Sequence, residues 1–435
     1  MSSTLMTAES RKNTILPMII IGILFFIFGF VTWLNGSLIP FLKIICDLND
    51  FQALFVTFAF YISYTVLAFL MASVLKLTGY RNAMALGLGI MAIGSLLFIP
   101  AALAANYMFF LVALFVLGAG LTILQTASNP YVVFIGPKES AAMRISIMGI
   151  INKTAGIIVP IVFATLILSD LGDISENALA ARSAEDIRQL SERLIIPYIY
   201  MAVVLVSLIG LVYFSKLPSI KLESESDTNA PEKSNIFEYP QIILGASALF
   251  AYIGIEVISG DTIGLYGASL GVANFSTLTS YTMAFMLVGY FIGVITIPKY
   301  LSQSEALIGS AVAGCFFIIC IVFSSSESLV ISNWVWGWAG LPLLPDTVFF
   351  VALLGMANAL VWPAIWPLAL DGLGKFTAQG SALLIMSIAG GAIIPLIFGK
   401  LSETTGNMQL SYWIGIPCYL FILYYAISGH KKREW

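Results

Sequence analysis

Residues 195–215 read IIPYIYMAVVLVSLIGLVYFS, an apolar stretch that contains no charged residue. A helix of about 20 such residues crosses the hydrocarbon core of a bilayer, because each residue adds about 1.5 Å to its length. A helix also satisfies its own backbone hydrogen bonds, which lipid cannot do. Similar stretches lie on both sides of this one along the chain. The sequence therefore predicts an all-α membrane protein with twelve transmembrane spans, numbered 1 to 12 in chain order, at residues 15–41, 53–76, 82–104, 107–134, 144–168, 195–215, 240–266, 276–299, 305–324, 346–370, 378–400 and 409–428.

The composition excludes several classes of protein. The chain has 435 residues, of which 59% are hydrophobic and only 10% are charged. Soluble domains carry about 25% charged residues, so a soluble protein is excluded. A nucleic-acid partner is not expected, because the sequence has no basic stripe. Four scattered cysteines and a single histidine, His430, offer little for metal binding or acid–base chemistry, so neither an enzyme nor a cofactor is expected.

The positions of lysine and arginine predict how the spans are oriented. If both chain ends are cytoplasmic, most of the 20 lysines and arginines fall on the cytoplasmic side, and Lys153 alone lies within a span. This bias is typical of spans that insert in that orientation. The polar stretch 216–239 predicts a flexible linker between two halves. The expected divisions are a cytoplasmic N-terminus at 1–14, a six-helix half at 15–215, a cytoplasmic linker at 216–239, a second six-helix half at 240–428 and a cytoplasmic tail at 429–435.

The two halves share short sequence matches at corresponding spans. The stretch GIIVP at 156–160 in span 5 matches GAIIP at 391–395 in span 11. Asn129-Pro130 in span 4 corresponds to Trp362-Pro363 in span 10. Because the matches keep the same order, we expect two pseudo-symmetric six-helix halves. Transporters of this design hold their substrate near the middle of the membrane, between the halves.

Polar side chains recur on single helical faces within the apolar spans. A polar group inside a bilayer needs a partner or a function, and span 4 places Thr122, Gln125 and Asn129 on one face. Amides both donate and accept hydrogen bonds, as sugar hydroxyls require, and an indole plane stacks on the apolar face of a sugar ring. The alternative is that such amides only join helices. Trp33 is a weaker candidate, because an aromatic side chain in span 1 often faces lipid. The predicted sugar-binding residues are Asn35, Gln125, Asn129, Asn152, Lys153, Asn358, Trp362 and Trp366.

Few ionisable residues lie within the spans, and Glu256 of span 7 is the first candidate for binding a coupling cation. A carboxylate with neutral oxygens nearby holds Na⁺, whereas burial favours the neutral form of a carboxyl, which then carries a proton. A structural ion pair with Lys153 is an alternative, as is a Lys153 that competes with the cation or donates to sugar hydroxyls. Asp261 lies about 140° around the helix from Glu256, so the two share a face only if span 7 breaks near Gly260 or Gly264. The predicted ion-coupling residues are Glu256, Thr32, Ser259 and Asp261, with no metal site beyond Na⁺ at Glu256.

Two loops on the predicted outer side carry further patterns. Ser183-Ala-Glu-Asp, which precedes span 6, resembles a capping box and predicts a short amphipathic helix. The stretch NWVWGW at 333–338 predicts an aromatic anchor at the membrane surface, where tryptophan is enriched.

Several stretches resemble one family of transporters. They are FFIFGFVTWLNGSLIP at 25–40, LQTASNPY at 124–131, Gly136-Pro137, Asn152, Gln379-Gly-Ser381 and GGAIIP at 390–395. Together they resemble the fucose and glucose/galactose permease branch of the major facilitator superfamily, and the resemblance covers nearly all of residues 15–428. It implies the two-half fold of that superfamily. It also implies a bacterial inner-membrane symporter that imports a monosaccharide by alternating access.

The sequence departs from the proton-coupled fucose permease of that branch at the residues that carry its proton. That permease has an aspartate in span 1 and a glutamate in span 4, and the matching residues here are Gly36 and Gln125. A span 7 glutamine of the permease corresponds to Glu256, so the charge has moved to the other half. The sequence is more similar to the glucose/galactose or N-acetylglucosamine members, some of which use Na⁺.

The combined expectation is cation-coupled uptake of a hexose, with glucose or galactose first and Na⁺ favoured over H⁺. The alternatives are uptake of N-acetylglucosamine or fucose, coupling to protons, and an uncoupled sugar facilitator. A sugar sensor would need a longer cytoplasmic extension, and an intramembrane enzyme would need a converging acid–base pair. The expected partners are the monosaccharide, the coupling cation and the lipid bilayer, and the chain is expected to act as a monomer.

Overall fold

The computed structural model describes residues 8–135, 141–168, 184–215, 235–297 and 299–435. Within these ranges all regular secondary structure is helical, and twelve helical segments are long and apolar enough to span a membrane. The prediction of an all-α protein with twelve spans is therefore confirmed. The observed spans are Leu16–Ile45, Asp50–Leu67, Leu77–Ala104, Tyr107–Val132, Met143–Leu168, Glu185–Phe214, Pro240–Asp261, Phe275–Thr296, Gln303–Phe323, Asp346–Leu370, Gln379–Thr405 and Met408–Lys431.

The first half is built from long helices joined by tight connections. Spans 2 and 3 follow one another within the segment Phe55–Ala104, which turns at Gly79 with a φ of 72°. Glycine is favoured there because a side chain would strain this left-handed conformation. The helices of the first half are Ala8–Trp33, Asn35–Ile45, Asp50–Ala53, Phe55–Ala104, Tyr107–Phe134, Ala141–Phe163, Ala184–Glu192 and Ile195–Phe214, with a π-helix at Ala164–Leu168.

The second half repeats the plan with more interruptions. Its α-helices are Pro240–Asp261, Ile263–Ser269, Leu278–Thr296, Gln303–Phe323, Val330–Trp336, Asp346–Asn358, Val361–Leu370, Thr377–Met386, Gly390–Thr405, Met408–Ser411 and Gly415–Ile427. Short 3-10 helices occupy Ile236–Glu238, Phe275–Thr277, Gly337–Ala339, Gly374–Phe376, Ser387–Ala389, Tyr412–Ile414 and Gly429–Lys431.

Three membrane helices are interrupted near the contact between the halves. Helix 1 breaks at Leu34, the helix of span 7 ends before Thr262, and span 10 breaks after Asn358. Pro363 explains the break in span 10, because its nitrogen carries no hydrogen to donate to the carbonyl four residues earlier. Interrupted helices are tolerated in membrane proteins where they face protein or a cavity, and transporters use them around their substrate sites.

The glycine and proline matches noted in the sequence lie at equivalent contacts of the two halves. Gly156 of span 5 faces Trp33 and Met283, and a Cβ added there would lie 2.7 Å from an atom of each. A Cβ added at Gly391 of span 11 would lie 3.0 Å from an atom of Tyr61 and 2.9 Å from an atom of Val257. In each half, one glycine-bearing helix thus packs against the other half, as the pseudo-symmetry predicts.

Two loop regions carried predicted features, a short helix and an aromatic anchor at the membrane surface. Helix Ala184–Glu192 forms at the start of the observed span 6, ahead of the apolar helix Ile195–Phe214, with Leu190 buried and Ser191 donating to the carbonyl of Ala102 at 2.9 Å. In the tryptophan-rich loop Trp334 and Trp338 are exposed, whereas Trp336 is buried. Ser183, Gly136-Pro137 and residues 216–234 of the predicted linker lie outside the described residues.

Candidate functional site

The two halves meet closely at one end of the molecule, which we call the gate. Ser37 Oγ donates to the carbonyl of Ser276 at 2.7 Å, and this hydrogen bond joins span 1 to span 8. Thr279 Oγ1 donates to the carbonyl of Gly260 at 2.7 Å. A Cβ added at Gly264 would lie 2.9 Å from the carbonyl oxygen of Gly36, so only glycine permits this approach. The gate residues are Gly36, Ser37, Gly260, Gly264, Ser276 and Thr279.

A cavity lies between the halves on the other side of the gate. It extends toward the terminal face, which is the face where span 1 begins and span 12 ends. Spans 1, 2, 4, 5, 7, 8, 10 and 11 all contribute to its wall. The lining residues are Phe25, Phe28, Thr32, Trp33, Tyr61, Tyr64, Gln125, Asn129, Val132, Ile145, Gly149, Asn152, Lys153, Tyr252, Ile253, Glu256, Val257, Tyr290, Trp362, Trp366 and Ile388.

Amides line the cavity from the first half. Gln125 and Asn129 lie four residues apart on span 4, so they share one helical face that lines the cavity. Asn152 of span 5 accepts a hydrogen bond from Trp33 Nε1 at 3.2 Å and donates to the carbonyl of Phe25 at 3.3 Å. These contacts fix the Asn152 amide in the wall. All three amides offer donors and acceptors to a hydroxylated ligand.

A buried ion pair crosses the cavity wall from one half to the other. Lys153 Nζ lies 2.7 Å from Glu256 Oε1, and the two residues are only 6% and 7% exposed. The ammonium also lies 4.2 Å from the centre of the Trp33 ring. Buried charges require such partners, because an unpaired charge in a dry site is strongly unfavourable. The structure therefore forms the ion pair that the sequence left as an alternative.

Aromatic side chains form the other walls. Trp362 and Trp366 lie one turn apart on span 10, with ring centres 5.1 Å apart. Trp33, ranked in the sequence as a weaker candidate because it could face lipid, is 2% exposed and lines the cavity. The sequence interpretation missed the tyrosines Tyr61, Tyr64, Tyr252 and Tyr290. One signal was available, since Tyr61 and Tyr64, like Tyr252 and Glu256, are spaced by about one helical turn.

Asn358 and Ser259 are not among the residues that line the cavity. Asn358 is fully buried, donates to Ser259 Oγ at 3.2 Å and accepts from Tyr419 at 2.7 Å. Ser259 in turn donates to the carbonyl of Glu256 at 3.0 Å. These bonds join spans 7, 10 and 12 inside the second half. The prediction that Asn358 lines the cavity together with Trp362 assumed an unbroken helix. The break after Asn358 explains why its side chain lies elsewhere.

Asn35 and Asp261 lie beside the gate rather than in the cavity lining. Asn35 is 2% exposed, and its Nδ2 has no hydrogen-bond partner among the described residues. Asp261 is fully buried, and its Oδ2 accepts from the Tyr61 hydroxyl at 3.4 Å. Of the predicted ion-coupling residues, Glu256 and Thr32 line the cavity, whereas Ser259 and Asp261 do not.

A family model described as the Major Facilitator Superfamily matches residues 21–395 of this sequence. The chain belongs to the Major Facilitator Superfamily. Membership agrees with the twelve spans, the two halves and the cavity between them. It also confirms the prediction that the protein is a transporter and not an enzyme.

Individual members of the superfamily match almost the whole chain. A glucose/galactose transporter of Brucella abortus is 33% identical over 429 residues, covering 98% of this chain and 96% of the relative. The L-fucose-proton symporter of Escherichia coli is 27% identical over 440 residues, covering 96% and 94%. The crystal structure of the E. coli fucose:proton symporter FucP has a TM-score of 0.71 at 24% identity, covering 95% and 98%, which supports the fold. The resemblance to the fucose and glucose/galactose branch is confirmed.

Proposed function

We propose that this superfamily member imports a hexose, glucose or galactose, together with protons by alternating access. The observation that carries the proposal is the cavity between the halves, where three amides and three indoles line a site beside a buried ion pair. The relative named as a glucose/galactose transporter, 33% identical over nearly the full chain, supports the choice of sugar.

The lining suits both the hydroxyl groups and the apolar face of a pyranose ring. Gln125, Asn129 and Asn152 supply donors and acceptors for ring hydroxyls. Trp362 and Trp366 supply apolar planes for the face of the ring that carries C–H groups. A cavity with few placed polar groups among aromatic walls is the usual form of a small-molecule site.

The ion pair gives the site a means of coupling. A proton that neutralises Glu256 removes the partner of Lys153, and the freed ammonium then donates to a sugar hydroxyl. Sugar and proton each favour the binding of the other, because linkage between two ligands is reciprocal. Because Lys153 and Glu256 belong to different halves, the same event loosens one link across the cavity.

The proposed coupling ion differs from the sequence expectation of Na⁺. The matched relatives whose names include an ion are L-fucose-proton symporters, and Na⁺ coupling has no support from these relatives. Lys153 and a proton would compete for the Glu256 carboxylate, because each compensates the same negative charge. We therefore place H⁺ before Na⁺, with Glu256 as its first acceptor in the cavity.

The remaining features of the proposal follow from the charge pattern and the resemblance. The lysine and arginine bias supports a cytoplasmic terminal face in a bacterial inner membrane, with the gate on the outer side. Residues 216–239 act as the linker that lets the halves rock, and a single chain contains the whole site.

Labelled glucose uptake into proteoliposomes tests the proposal, with an inward H⁺ gradient and an inward Na⁺ gradient imposed separately. We expect accumulation under the H⁺ gradient only, and competition by unlabelled galactose stronger than by fucose or N-acetylglucosamine. Accumulation driven by Na⁺ alone would overturn the choice of ion. Exchange of labelled glucose without accumulation under either gradient would identify an uncoupled facilitator.

A further inference from the structure

Asp261 is enclosed by the closed gate. It directly follows Gly260, whose carbonyl lies 3.0 Å from the position that a Cβ on Gly36 would take. A Cβ on Gly260 itself would lie 2.5 Å from Trp33 Cζ3. Span 1 thus packs directly on the backbone beside Asp261. The carboxyl is fully buried as a result.

Among the described residues, no cationic side chain contacts the carboxyl of Asp261. Tyr61 donates to Oδ2 at 3.4 Å, and Oδ1 has no hydrogen-bond partner among the described residues. The titratable groups that face it are Tyr61 of span 2, Glu256 of its own helix and Lys153 of span 5. Lys153 bonds to Glu256 at 2.7 Å instead.

In the part of the chain that the structure describes, the other elements around the gate add no charge beside this carboxyl. Spans 1 and 8 contribute Ser37, Ser276 and Thr279, which do not titrate. Span 11 packs Ile394 against span 7 at Gly254. An ionised carboxylate enclosed in such a site, with one long hydrogen bond and no cationic side chain in contact with it, is strongly unfavourable. Glu256 differs, because Lys153 compensates its charge.

We propose that Asp261 is a second proton-binding site of the transporter, which must take up a proton before the gate closes. Its role in coupling rests on the proposed proton-coupled transport. Asp261 and Tyr61 belong to different halves, so opening the gate separates them and admits water to the carboxyl. A hydrated carboxyl ionises at neutral pH, and closure then requires a proton from the open side.

Tyr61 gives this proton a route onward. Its hydroxyl bonds to Asp261, and its side chain also lines the cavity that extends toward the terminal face. The proton therefore leaves the Asp261 carboxyl on the cavity side. It passes through the Tyr61 hydroxyl, or through a water molecule that takes the place of that hydroxyl. Protonation of Asp261 accompanies closure of the gate, whereas protonation of Glu256 accompanies binding of the sugar.

Thiol labelling of the gate tests the proposal without sugar or a gradient. Ser276→Cys would be introduced after replacing Cys46, Cys315, Cys320 and Cys418, and labelled from the gate side with an impermeant reagent at several pH values. Ala273→Cys, an exposed position three residues away, corrects for the pH dependence of the reagent. We expect corrected labelling to fall as pH falls, by up to about tenfold per pH unit for one linked proton.

Asp261→Asn removes the titrating group but keeps its shape, so labelling should be low at every pH. Tyr61→Phe removes the donor that stabilises the closed gate, so the midpoint of labelling should move to lower pH. Labelling of Asp261→Asn that follows pH as in the parent would overturn the proposal, as would a parent that does not respond to pH.

The Asp261 proposal and the proposed function can fail independently of one another. A gate that closes with protons in vesicles that never accumulate sugar would refute the proposed function and still support the Asp261 site. Proton-driven accumulation that survives in Asp261→Asn would refute the Asp261 site and still support the proposed function. A glucose-dependent rise in the unfolding temperature of Asp261→Asn shows that the variant is folded, because the cavity extends toward the terminal face while the gate is closed.

Discussion

Glu256 and Lys153 hold opposite charges at a place where neither charge would be stable alone. Each residue is less than a tenth exposed, and each comes from a different half. Removing one partner from such a pair is more harmful than removing both, because the remaining charge is left buried. The chemistry of coupling can therefore be probed by changing these two residues separately and together.

Glu256→Gln should abolish accumulation of sugar against its gradient while leaving exchange of labelled for unlabelled sugar. The amide keeps the shape of the side chain but carries no titrating proton. Uptake and exchange are measured in the same proteoliposomes, with Glu327→Gln, an exposed loop residue, as the matched control. The double variant Glu256→Gln with Lys153→Met separates lost coupling from the effect of an unpaired lysine. Accumulation that persists in Glu256→Gln would rule out its coupling role.

Trp362→Ala should weaken sugar binding without preventing folding. An aromatic contact contributes about 1 kcal/mol beyond its buried area, so the KM for uptake should rise at least about fivefold. Trp362→Phe keeps a ring and should recover part of the loss. Trp334→Ala is the control, since Trp334 is 83% exposed outside the cavity. An unchanged KM in Trp362→Ala would remove this indole from the site.

Residue spacing indicates which side chains share a cavity wall where the helix continues unbroken. Gln125, Asn129, Asn152, Lys153 and Glu256 line the cavity, because each lies on a continuous stretch of helix whose faces follow from spacing. Asn358 was assigned to the same wall as Trp362, but the break between them turns it toward Tyr419. Whether an aromatic residue faces lipid or protein depends on packing that spacing alone does not reveal.

Glycine determines how closely the membrane helices approach one another. Gly390 begins the second part of span 11 and lies against the backbone of Phe250 in span 7, where an added Cβ would overlap the carbonyl. Gly210 of span 6 has open space around its Cα. A methyl group added at Gly390 would therefore clash with span 7, whereas one added at Gly210 would meet open space.

Gly390→Ala should lower the stability of the purified transporter, whereas Gly210→Ala should not. The first change forces spans 7 and 11 apart, which costs about 1–3 kcal/mol by analogy with overpacked cores. The second adds a better helix former, with a gain of up to about 1 kcal/mol. Thermal unfolding in detergent measures both. Equal melting temperatures for the two variants would contradict this account of helix packing.

The elements themselves were predictable because lipid restricts the choice to apolar helices. Predicted and observed spans agree in number and order, and span 5, predicted at 144–168, is observed at Met143–Leu168, whereas span 6 begins ten residues earlier than predicted, at Glu185. The breaks in spans 1 and 7 were less predictable, since they depend on how the halves pack rather than on any single residue. Pro363 accompanies the break in span 10, but proline alone does not predict a break, because Pro130 and Pro160 lie inside continuous helices.

At the scale of the whole molecule, the site exists only where the halves come together. Cavity residues come from spans 1, 2, 4 and 5 of one half and spans 7, 8, 10 and 11 of the other. A ligand in this position contacts both halves and stabilises their association. Pseudo-symmetry was visible in the sequence from GIIVP and GAIIP, whereas the closed gate could be seen only in the structure.

The transported sugar should therefore raise the unfolding temperature of the purified protein. Binding to the folded state alone adds about 2.7 kcal/mol of stability when the sugar is present at a hundred times its Kd. Glucose and galactose are compared with mannitol, an open-chain polyol that presents hydroxyls without a ring. A shift with mannitol as large as with glucose would indicate a solvent effect rather than a site.

The closed gate also offers a way to arrest the transporter for study. A hexose that carries a bulky substituent, supplied from the terminal face, would place its sugar in the cavity and its substituent where that face must close. The gate would then remain shut, and the molecule would stay in the orientation described here. The same compound supplied from the gate side would hold the opposite orientation, so one synthetic ligand would provide two homogeneous samples for structure determination.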